Sequence, residues 1–367
     1  MMKRRIATVL LLLSMFPVLA LAEQERYTIS EIRDQANELL EAYGSVGTVK
    51  VETAKGVYDI PIDIPEVDRV PVLKVTFPST DQVPSAPENG ELSIKMCDYN
   101  STSYLASWSV KVNSDKIYGE YVKNTTRVGS YDMDTRADGS PLTMEESIAF
   151  AEQILSYYKE QFGWEFTPHN FTAYSRQYKA TAGRNGFIPD LTQPVDDTGY
   201  YSLEFDQMFY GIPYYRWYHI RFTYPSKNDR QAPTPSGLCD FTIFSTDSYS
   251  YGIMPCVKTA VLAEDVPLCA LETVIEAFKK SCKVQPTLPT SLRFVYLSMN
   301  DPDDRNGDLI LTPFWILESD AGPGSSKGWI AAVNAQTGKW INTEQKDTDG
   351  GHRSDAVWFV WEDVSED

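Results

Sequence analysis

The residues most suggestive of catalysis are 324–328 (GSSKG), which have the G-x-S-x-G spacing of a hydrolase nucleophile motif. Its partners would be the acidic residues and histidine that follow in hydrolase order, Asp347 or Asp349 and His352. The motif needs a helix directly after the serine, because the helix N-terminus supports the oxyanion hole. Here both flanks, residues 315–317 and 329–333, are strand-like. We therefore expect Ser326 to lie in a loop between strands, and we assign no catalytic residue.

Oxygen-bearing side chains crowd residues 301–308 (DPDDRNGD), which invites comparison with a calcium loop. An EF-hand loop has carboxylates at positions 1, 3 and 5 and glycine at position 6. With Gly307 at position 6, Pro302 falls at position 1, so the register fails. We expect a solvated turn, with weak calcium binding as the alternative. The histidines share no metal-site spacing such as H-E-x-x-H, so no metal ligand is assigned among His169, His219 and His352.

Aromatic residues are concentrated between Tyr200 and Tyr224, where they occupy eleven of twenty-five positions against 13% of the whole chain. If residues 214–224 form a strand, alternate side chains share a face. One face then combines aromatic rings with polar groups, which we call the aromatic strip: Tyr215, Trp217, His219 and Arg221. Such a strip suits a sugar ring, a peptide or a partner protein. The alternative is burial of this face under a neighbouring domain or helix.

Three amphipathic helices are predicted from apolar residues that recur at helical spacing. The first opens at Thr28 and Glu31, which have the spacing of a capping box, and the second opens in the same way at Thr143 and Glu146. The third is expected to begin near Asp265. A β-rich stretch follows each of the last two helices. This order indicates a weak repeat of one helix plus an antiparallel meander, with chance similarity as the alternative.

Residues 57–65 (VYDIPIDIP) alternate between apolar and polar positions, which predicts a strand, and Pro61 and Pro65 favour the edge of a sheet. Together with residues 70–75 (VPVLKV), this segment resembles the N-terminal module of uncharacterised secreted proteins and lipoproteins of Gram-positive bacteria. Residues 313–315 (PFW) and 333–340 (VNAQTGKW) resemble the last hairpin of PepSY-type repeats. The resemblance supplies no known activity and no catalytic residue to carry over. Many such proteins carry a lipid-modified cysteine at the cleavage site, whereas position 23 is Glu, which implies a released protein.

The N-terminus has the pattern of a secretory signal peptide over residues 1–22, with three basic residues, an apolar run and a small-x-small site at residues 20–22. We expect cleavage after Ala22. An uncleaved anchor is the rival interpretation, but Pro17 interrupts the apolar run, which is shorter than the roughly 20 residues that span a bilayer. No later stretch reaches transmembrane length. Loss of this leader takes the formal charge from −18 to −21, a surface that repels nucleic acid and anionic lipid.

The mature chain of 345 residues exceeds one typical hydrophobic core, so two or three modules are expected. The predicted modules are consecutive: 23–139 with the first helix, 140–262 with the second helix and the aromatic-rich strands, and 263–367 with the third helix and a β-meander. Each would be a helix packed on an antiparallel sheet, which makes the fold class α+β.

The five cysteines include no C-x-x-C pair, which argues against a zinc ribbon or a thioredoxin-type site. Cys239 and Cys256 lie symmetrically about residues 246–249, so a hairpin centred there would place them opposite one another. They are the candidate disulfide, with free buried thiols as the alternative.

These patterns predict an exported, non-catalytic binding or regulatory protein, with an extracellular protein, peptide or glycan as ligand and no cofactor. The alternative is a hydrolase of cell-wall or extracellular polymer, whose acidic residues the sequence does not identify.

Overall fold

The computed structural model describes the chain in segments that begin after the leader. These are residues 26–43, 48–53, 56–83, 85, 89–99, 102–113, 121–122, 136–137, 139–174, 178–183, 186–194, 199–215, 237–284, 288–300, 308–320 and 331–341. The predicted signal peptide and its cleavage site lie outside the described residues.

Three α-helices are present in the described part of the chain: α1 (Ile29–Tyr43), α2 (Met144–Phe162) and α3 (Leu271–Val284). The capping boxes predicted for the first two helices are confirmed. Glu31 accepts a hydrogen bond from the Thr28 backbone N–H at 2.7 Å, and Glu146 accepts the equivalent bond from Thr143, also at 2.7 Å. Each reciprocal bond satisfies a backbone N–H that the first turn of a helix leaves without a partner.

Helix α3 begins six positions later than the sequence indicated. The segment from Asp265 to Ala270 is instead extended and pairs with two other parts of the chain. The Val266 N–H donates to the Val70 carbonyl at 3.0 Å, and Leu268 exchanges backbone hydrogen bonds with Tyr27. The Asp265 side chain accepts from the Val70 N–H at 2.9 Å instead of capping the helix. Backbone pairing with distant parts of the chain therefore overrides the local helix signal.

Eighteen strands are found in the described segments, with one 3₁₀ turn at Thr80–Gln82 between β3 and β4. In chain order they are β1 (Thr48–Thr53), β2 (Gly56–Asp63), β3 (Val72–Thr76), β4 (Gly90–Tyr99), β5 (Thr102–Val112), β6 (Tyr121–Val122), β7 (Glu165–Tyr174), β8 (Tyr178–Gly183), β9 (Gly186–Pro194), β10 (Tyr200–Phe209), β11 (Ile212–Pro213), β12 (Leu238–Ser245), β13 (Ser248–Met254), β14 (Val257–Ala263), β15 (Leu288–Asn300), β16 (Leu309–Asp320), β17 (Ala331–Asn334) and β18 (Trp340–Ile341).

The first large sheet, which we call the terminal sheet, joins strands from the two ends of the chain. Its order is β1-β2-β15-β16-β17-β18, while β3 pairs with β16 and β14. Pairing is antiparallel except between β2 and β15, which run parallel. Pro61 in β2 and Pro65 just after it had favoured an edge position, but β2 lies between two strands. Its pairing with β15 uses Ile62 and Asp63, beyond Pro61, so the missing proline N–H does not interrupt it.

The second large sheet, which we call the central sheet, is antiparallel throughout and is built from the middle of the chain. Its order is β7-β10-β12-β13-β5-β4, with the short β11 also paired to β10. A small third sheet has the order β6-β8-β9. The fold is thus mixed α+β, with two large sheets rich in antiparallel pairs.

Each large sheet has its own core. Helices α1 and α3 pack on the terminal sheet, where Ile32, Phe278 and Trp315 are fully buried. Helix α2 packs on the central sheet, where its buried face meets Trp108 and Phe241. The terminal sheet is also buried on its other face, because Val295, Leu297, Phe314, Ile316 and Ala332 are each at most 1% exposed. Tyr215, from outside this sheet, packs against this face.

The sheets do not follow the three consecutive modules expected from the sequence. The predicted first module contributes β1, β2 and β3 to the terminal sheet, but it contributes β4 and β5 to the central sheet. Strand β14, expected in the second module, pairs with β3 of the first. The core around α1 and α3 is thus shared by the two ends of the chain, and the central sheet is formed by the segment between them.

The hairpin predicted around residues 246–249 is present, but the proposed cysteine pair does not form across it. The turn lies at Thr246 and Asp247, one residue earlier than predicted, and a register shift between Ile243 and Ser245 adds to the offset, so Cys239 lies opposite Ile253 while Cys256 lies beyond the end of β13. Both are buried free thiols, and burial raises the pKa of each thiol above its ordinary value. A third cysteine among the described residues, Cys269, is also free and buried.

Candidate functional site: a polar cluster between the two sheets

Four charged or ionisable side chains meet where the central and terminal sheets face each other. His169 comes from β7 and Asp206 from β10 of the central sheet, whereas Arg293 comes from β15 and Glu318 from β16 of the terminal sheet. The Tyr215 ring, just after β11, packs against them. We call these five residues the polar cluster. It is the contact between sheets at which opposite charges are brought together.

Asp206 is the most buried member, with none of its side chain exposed. Its Oδ2 lies 2.8 Å from Nδ1 of His169 and 4.0 Å from Nη2 of Arg293. Neither carboxylate oxygen has a well-directed hydrogen bond from a described residue. The contact with His169 is short in distance but poorly aligned, so attraction between opposite charges compensates for the removal of Asp206 from water.

Arg293 links Asp206 to the solvent side of the cluster. Its side chain is 12% exposed, with Nη1 3.4 Å from Oε1 of Glu318 and Nε 3.5 Å from Oδ2 of Asp63. The Ser291 hydroxyl donates a short hydrogen bond to the other Glu318 oxygen. Asp63 is 65% exposed. The charged groups therefore extend from the fully buried Asp206, through Arg293, to the solvent-exposed Asp63. The nearby carboxylates raise the pKa of Arg293 despite its burial, which keeps the guanidinium charged.

Tyr215 reaches the cluster through a tight turn. Strands β10 and β11 are joined by Tyr210 and Gly211, both with positive φ (54° and 79°), as a two-residue hairpin of the primed type requires. The chain then crosses to the terminal sheet, where the Tyr215 N–H donates to the Tyr296 carbonyl at 3.0 Å. The Tyr215 ring centroid lies 5.1 Å from that of His169 and 5.9 Å from the Arg293 guanidinium carbon. Burial, followed by the charges of Glu318 and Asp206, raises the pKa of the Tyr215 phenol well above its ordinary value.

The imidazole of His169 lies between two carboxylates. Nδ1 faces Asp206, and Nε2 lies 3.9 Å from Oε1 of Glu318. Burial by itself lowers the pKa of His169, but attraction to Asp206, assisted by Glu318 and opposed by Arg293, leaves the pKa raised above 6.5. Protonation of His169 therefore balances the charge of the polar cluster, because His169 and Arg293 then face the two carboxylates of Asp206 and Glu318.

We expect the stability of the protein to fall as the pH rises through the folded-state pKa of His169. The pKa is higher in the folded than in the unfolded chain, so the contribution is complete below pH 6.5 and is lost above the raised value. Each pKa unit of difference corresponds to about 1.4 kcal/mol. Thermal unfolding between about pH 6 and pH 9 measures this loss. The His169→Asn variant keeps a neutral donor near Asp206 and should lose the slope, whereas equal slopes in both proteins would contradict the assignment.

The chemistry available to the cluster is ion pairing and proton binding. Carboxylate, imidazole and guanidinium each face an oppositely charged group of the same protein, an arrangement that joins the two sheets. Among the residues that the structure describes, no three His, Cys, Asp or Glu side chains are grouped to hold a metal ion.

Of the predicted aromatic strip, Tyr215 alone lies within the described residues; Trp217, His219 and Arg221 lie outside them. Tyr215 is 6% exposed, so at this position burial, the alternative considered for the strip, is what the structure has. Tyr214 and Tyr215 do point to opposite sides, as expected for a strand, because Tyr214 joins the core around α1 and Tyr215 joins the opposite face of the terminal sheet.

The other sequence motifs lie largely outside the described residues. Residues 324–328 lie outside the described residues. The described strands on either side of them, β16 and β17, pair antiparallel, and β17 begins at Ala331. The first described element after Ser326 is therefore a strand, whereas a nucleophile elbow leads into a helix. Residues 301–307 are also outside; Asp308 is described, and its Oδ2 lies 3.2 Å from Nζ of Lys74.

The sequence did not reveal Asp206, Arg293 or Glu318, which come from separate strands. Their shared signal is a charged residue directly after a buried apolar residue of a strand, since Asp206 follows Phe205, Arg293 follows Leu292 and Glu318 follows Leu317. Charges in such strands are rarely buried unless paired, so each predicts a partner without identifying it.

No protein family and no curated protein matches the sequence. A search of solved structures finds the crystal structure of an uncharacterized protein from Eubacterium rectale ATCC 33656. The two chains are 13% identical, and the match covers 85% of this chain and 99% of the other with a TM-score of 0.48. None of the helices in the described segments is long and apolar enough to cross a membrane.

Proposed function

We propose that this chain is an exported, non-catalytic binding or regulatory protein. The observation that carries the proposal is the internal pairing of the polar cluster. Its histidine, arginine and carboxylates face one another across two sheets, so the best-defined ionisable groups of the described chain contribute to structure instead of facing a substrate.

Export is inferred from the predicted signal peptide, with cleavage after Ala22 and release of a chain that begins at Glu23. The resemblance to secreted Gram-positive proteins and to PepSY-type hairpins supports the same compartment. The proposed repeat of a helix plus an antiparallel meander is supported by α2 and α3, since each packs on a sheet rich in antiparallel pairs.

The ligand is proposed to contact Trp217, His219 and Arg221. We propose that Tyr215 holds this segment on the terminal sheet and does not contact the ligand, because its ring is buried in the polar cluster. A mature charge of −21 disfavours anionic polymers, whereas aromatic rings beside polar groups suit a neutral glycan or a peptide. Peptidoglycan freed of its anionic polymers contains both glycan and peptide, so it is the probe for the binding experiment.

The Trp217→Ala variant is expected to weaken co-sedimentation with purified peptidoglycan by about 2 kcal/mol or more, as truncation of an aromatic anchor does. Its melting temperature should change little. The matched control is Tyr157→Ala, which removes a 45% exposed aromatic ring from α2 and should leave binding unchanged.

Two other results would contradict the proposal. A loss of roughly 3–5 kcal/mol in the free energy of unfolding of Trp217→Ala would assign this ring to a core. Release of soluble fragments from the peptidoglycan by the wild-type protein would favour the alternative function, a hydrolase. The His169→Asn variant would then test whether this activity depends on the polar cluster.

A further inference from the structure

Strand β4 forms one edge of the central sheet among the described strands. It pairs with β5 over ten positions, from Gly90 opposite Val112 to Tyr99 opposite Thr102, and with no other described strand. Among the described strands, none pairs with the backbone N–H and C=O groups at the opposite edge of β4. Long exposed edges of this kind readily accept a further strand.

The edge also carries an apolar stripe on the face that elsewhere forms the core. Leu92, Ile94 and Met96 lie opposite Val110, Trp108 and Leu105, three buried residues of β5. Helix α2 covers this face over β7, β10 and β12, at the far side of the sheet. Ile94 and Met96 consequently remain 51% and 42% exposed.

We propose that β4 pairs antiparallel with β4 of a second copy of this chain, about a two-fold axis at Ser93. This register sets Glu91 of each copy opposite Lys95 of the other, so that two ion pairs form. On the other face it sets Leu92 opposite Ile94 twice. The same strand thus complements itself in charge on one face and in hydrophobicity on the other.

Neighbouring registers lack this complementarity. An axis at Ile94 sets Lys95 opposite Ser93, and an axis at Leu92 sets Glu91 opposite Ser93, so neither register forms the two ion pairs. Glu91 also lies opposite Lys111 of β5 within its own chain, so in the proposed pair each Glu91 has a lysine on both sides. The alternative role of Lys95 is protection of the edge, since a lysine on an edge strand keeps chains apart.

Charge reversal separates these two roles. The wild-type protein is expected to sediment as a dimer, and Lys95→Glu and Glu91→Lys should each raise the dimer dissociation constant roughly tenfold or more, because each places like charges opposite one another twice. An equimolar mixture of the two variants should recover the dimer, since each substituted side chain then meets its opposite charge. Glu152→Lys, an exposed reversal on α2, is the matched control and should remain dimeric.

Far-ultraviolet circular dichroism and thermal unfolding confirm that each variant is folded before its mass is measured. A Ser93→Cys substitution gives a second measurement, because the axis brings the two copies of this position together. It should form an intermolecular disulfide under mild oxidation in a Cys97→Ser background, whereas Thr246→Cys, at the exposed β12–β13 turn, should not. A monomeric wild-type protein, or a mixture of variants that stays monomeric, would overturn the proposal.

Discussion

Replacing Asp206 with asparagine is expected to lower the free energy of unfolding by about 3–5 kcal/mol, the range for breaking a buried ion pair. The carboxylate is fully buried, and Oδ2 lies 2.8 Å from His169 and 4.0 Å from Arg293. Asparagine keeps the shape of the side chain but removes its charge. The guanidinium of Arg293 would then remain largely buried with one carboxylate fewer to balance it, and His169 would lose the main cause of its raised pKa.

Urea unfolding at a pH below 6.5, where His169 is protonated, measures the full effect. Asp247→Asn is the matched control, because it makes the same chemical change in the exposed turn between β12 and β13. Its effect should stay within about 0.5 kcal/mol, as is usual for surface substitutions. Equal effects of the two substitutions would show that the buried charge contributes nothing to the junction of the two sheets.

Truncation of Trp108 to alanine is expected to destabilise the protein by about 3–5 kcal/mol, the range for loss of a large aromatic side chain from a core. Trp108 is 1% exposed, and its ring centroid lies 6.1 Å from that of Tyr158 and 5.7 Å from that of Trp164. Its Nε1 donates to the Tyr158 hydroxyl at 3.3 Å, which in turn contacts the Tyr251 hydroxyl at 3.0 Å. Alanine would leave a cavity and also remove a donor from this buried network.

Trp108→Phe separates these two contributions, because it keeps an aromatic ring but removes the indole N–H. Its loss should be smaller, about 1–2 kcal/mol from one buried hydrogen bond and imperfect packing. If phenylalanine were as damaging as alanine, the hydrogen bond rather than ring volume would dominate at this position. Unfolding is followed by circular dichroism, because replacing Trp108 changes the tryptophan fluorescence of the protein.

Local signals predicted the helices better than the sheets. The spacing of Thr28 with Glu31 and of Thr143 with Glu146 identifies two helix starts, because a capping box involves neighbouring residues alone. The start of α3 could not be found in this way, since Asp265 binds the backbone of Val70, far away in the sequence. Alternation of side chains predicted strands but left their partners undefined.

The same limit explains why the polar cluster was not predicted. Asp206 and Arg293 become neighbours through the packing of two sheets, which no spacing in the sequence encodes. The aromatic strip was identified from the high frequency of aromatic residues alone. That frequency does not distinguish a binding face from a core. For Tyr215 the deciding fact is the second buried face of the terminal sheet, which follows from tertiary packing.

The parallel pairing of β2 with β15 has a consequence for the order of events during synthesis. The central sheet is a continuous stretch of chain and can assemble as soon as β13 has been made. The strands β1 and β2 are made first, but β15 is made only after the whole central sheet, so closure of the terminal sheet must wait. Because His169 and Asp206 belong to the early sheet and Arg293 and Glu318 to the late one, their charges can meet only when that closure is complete. The contact between His169 and Asp206 lies within the early sheet and can form before closure, whereas the contacts of this pair with Glu318 and Arg293 belong to the last stage of folding.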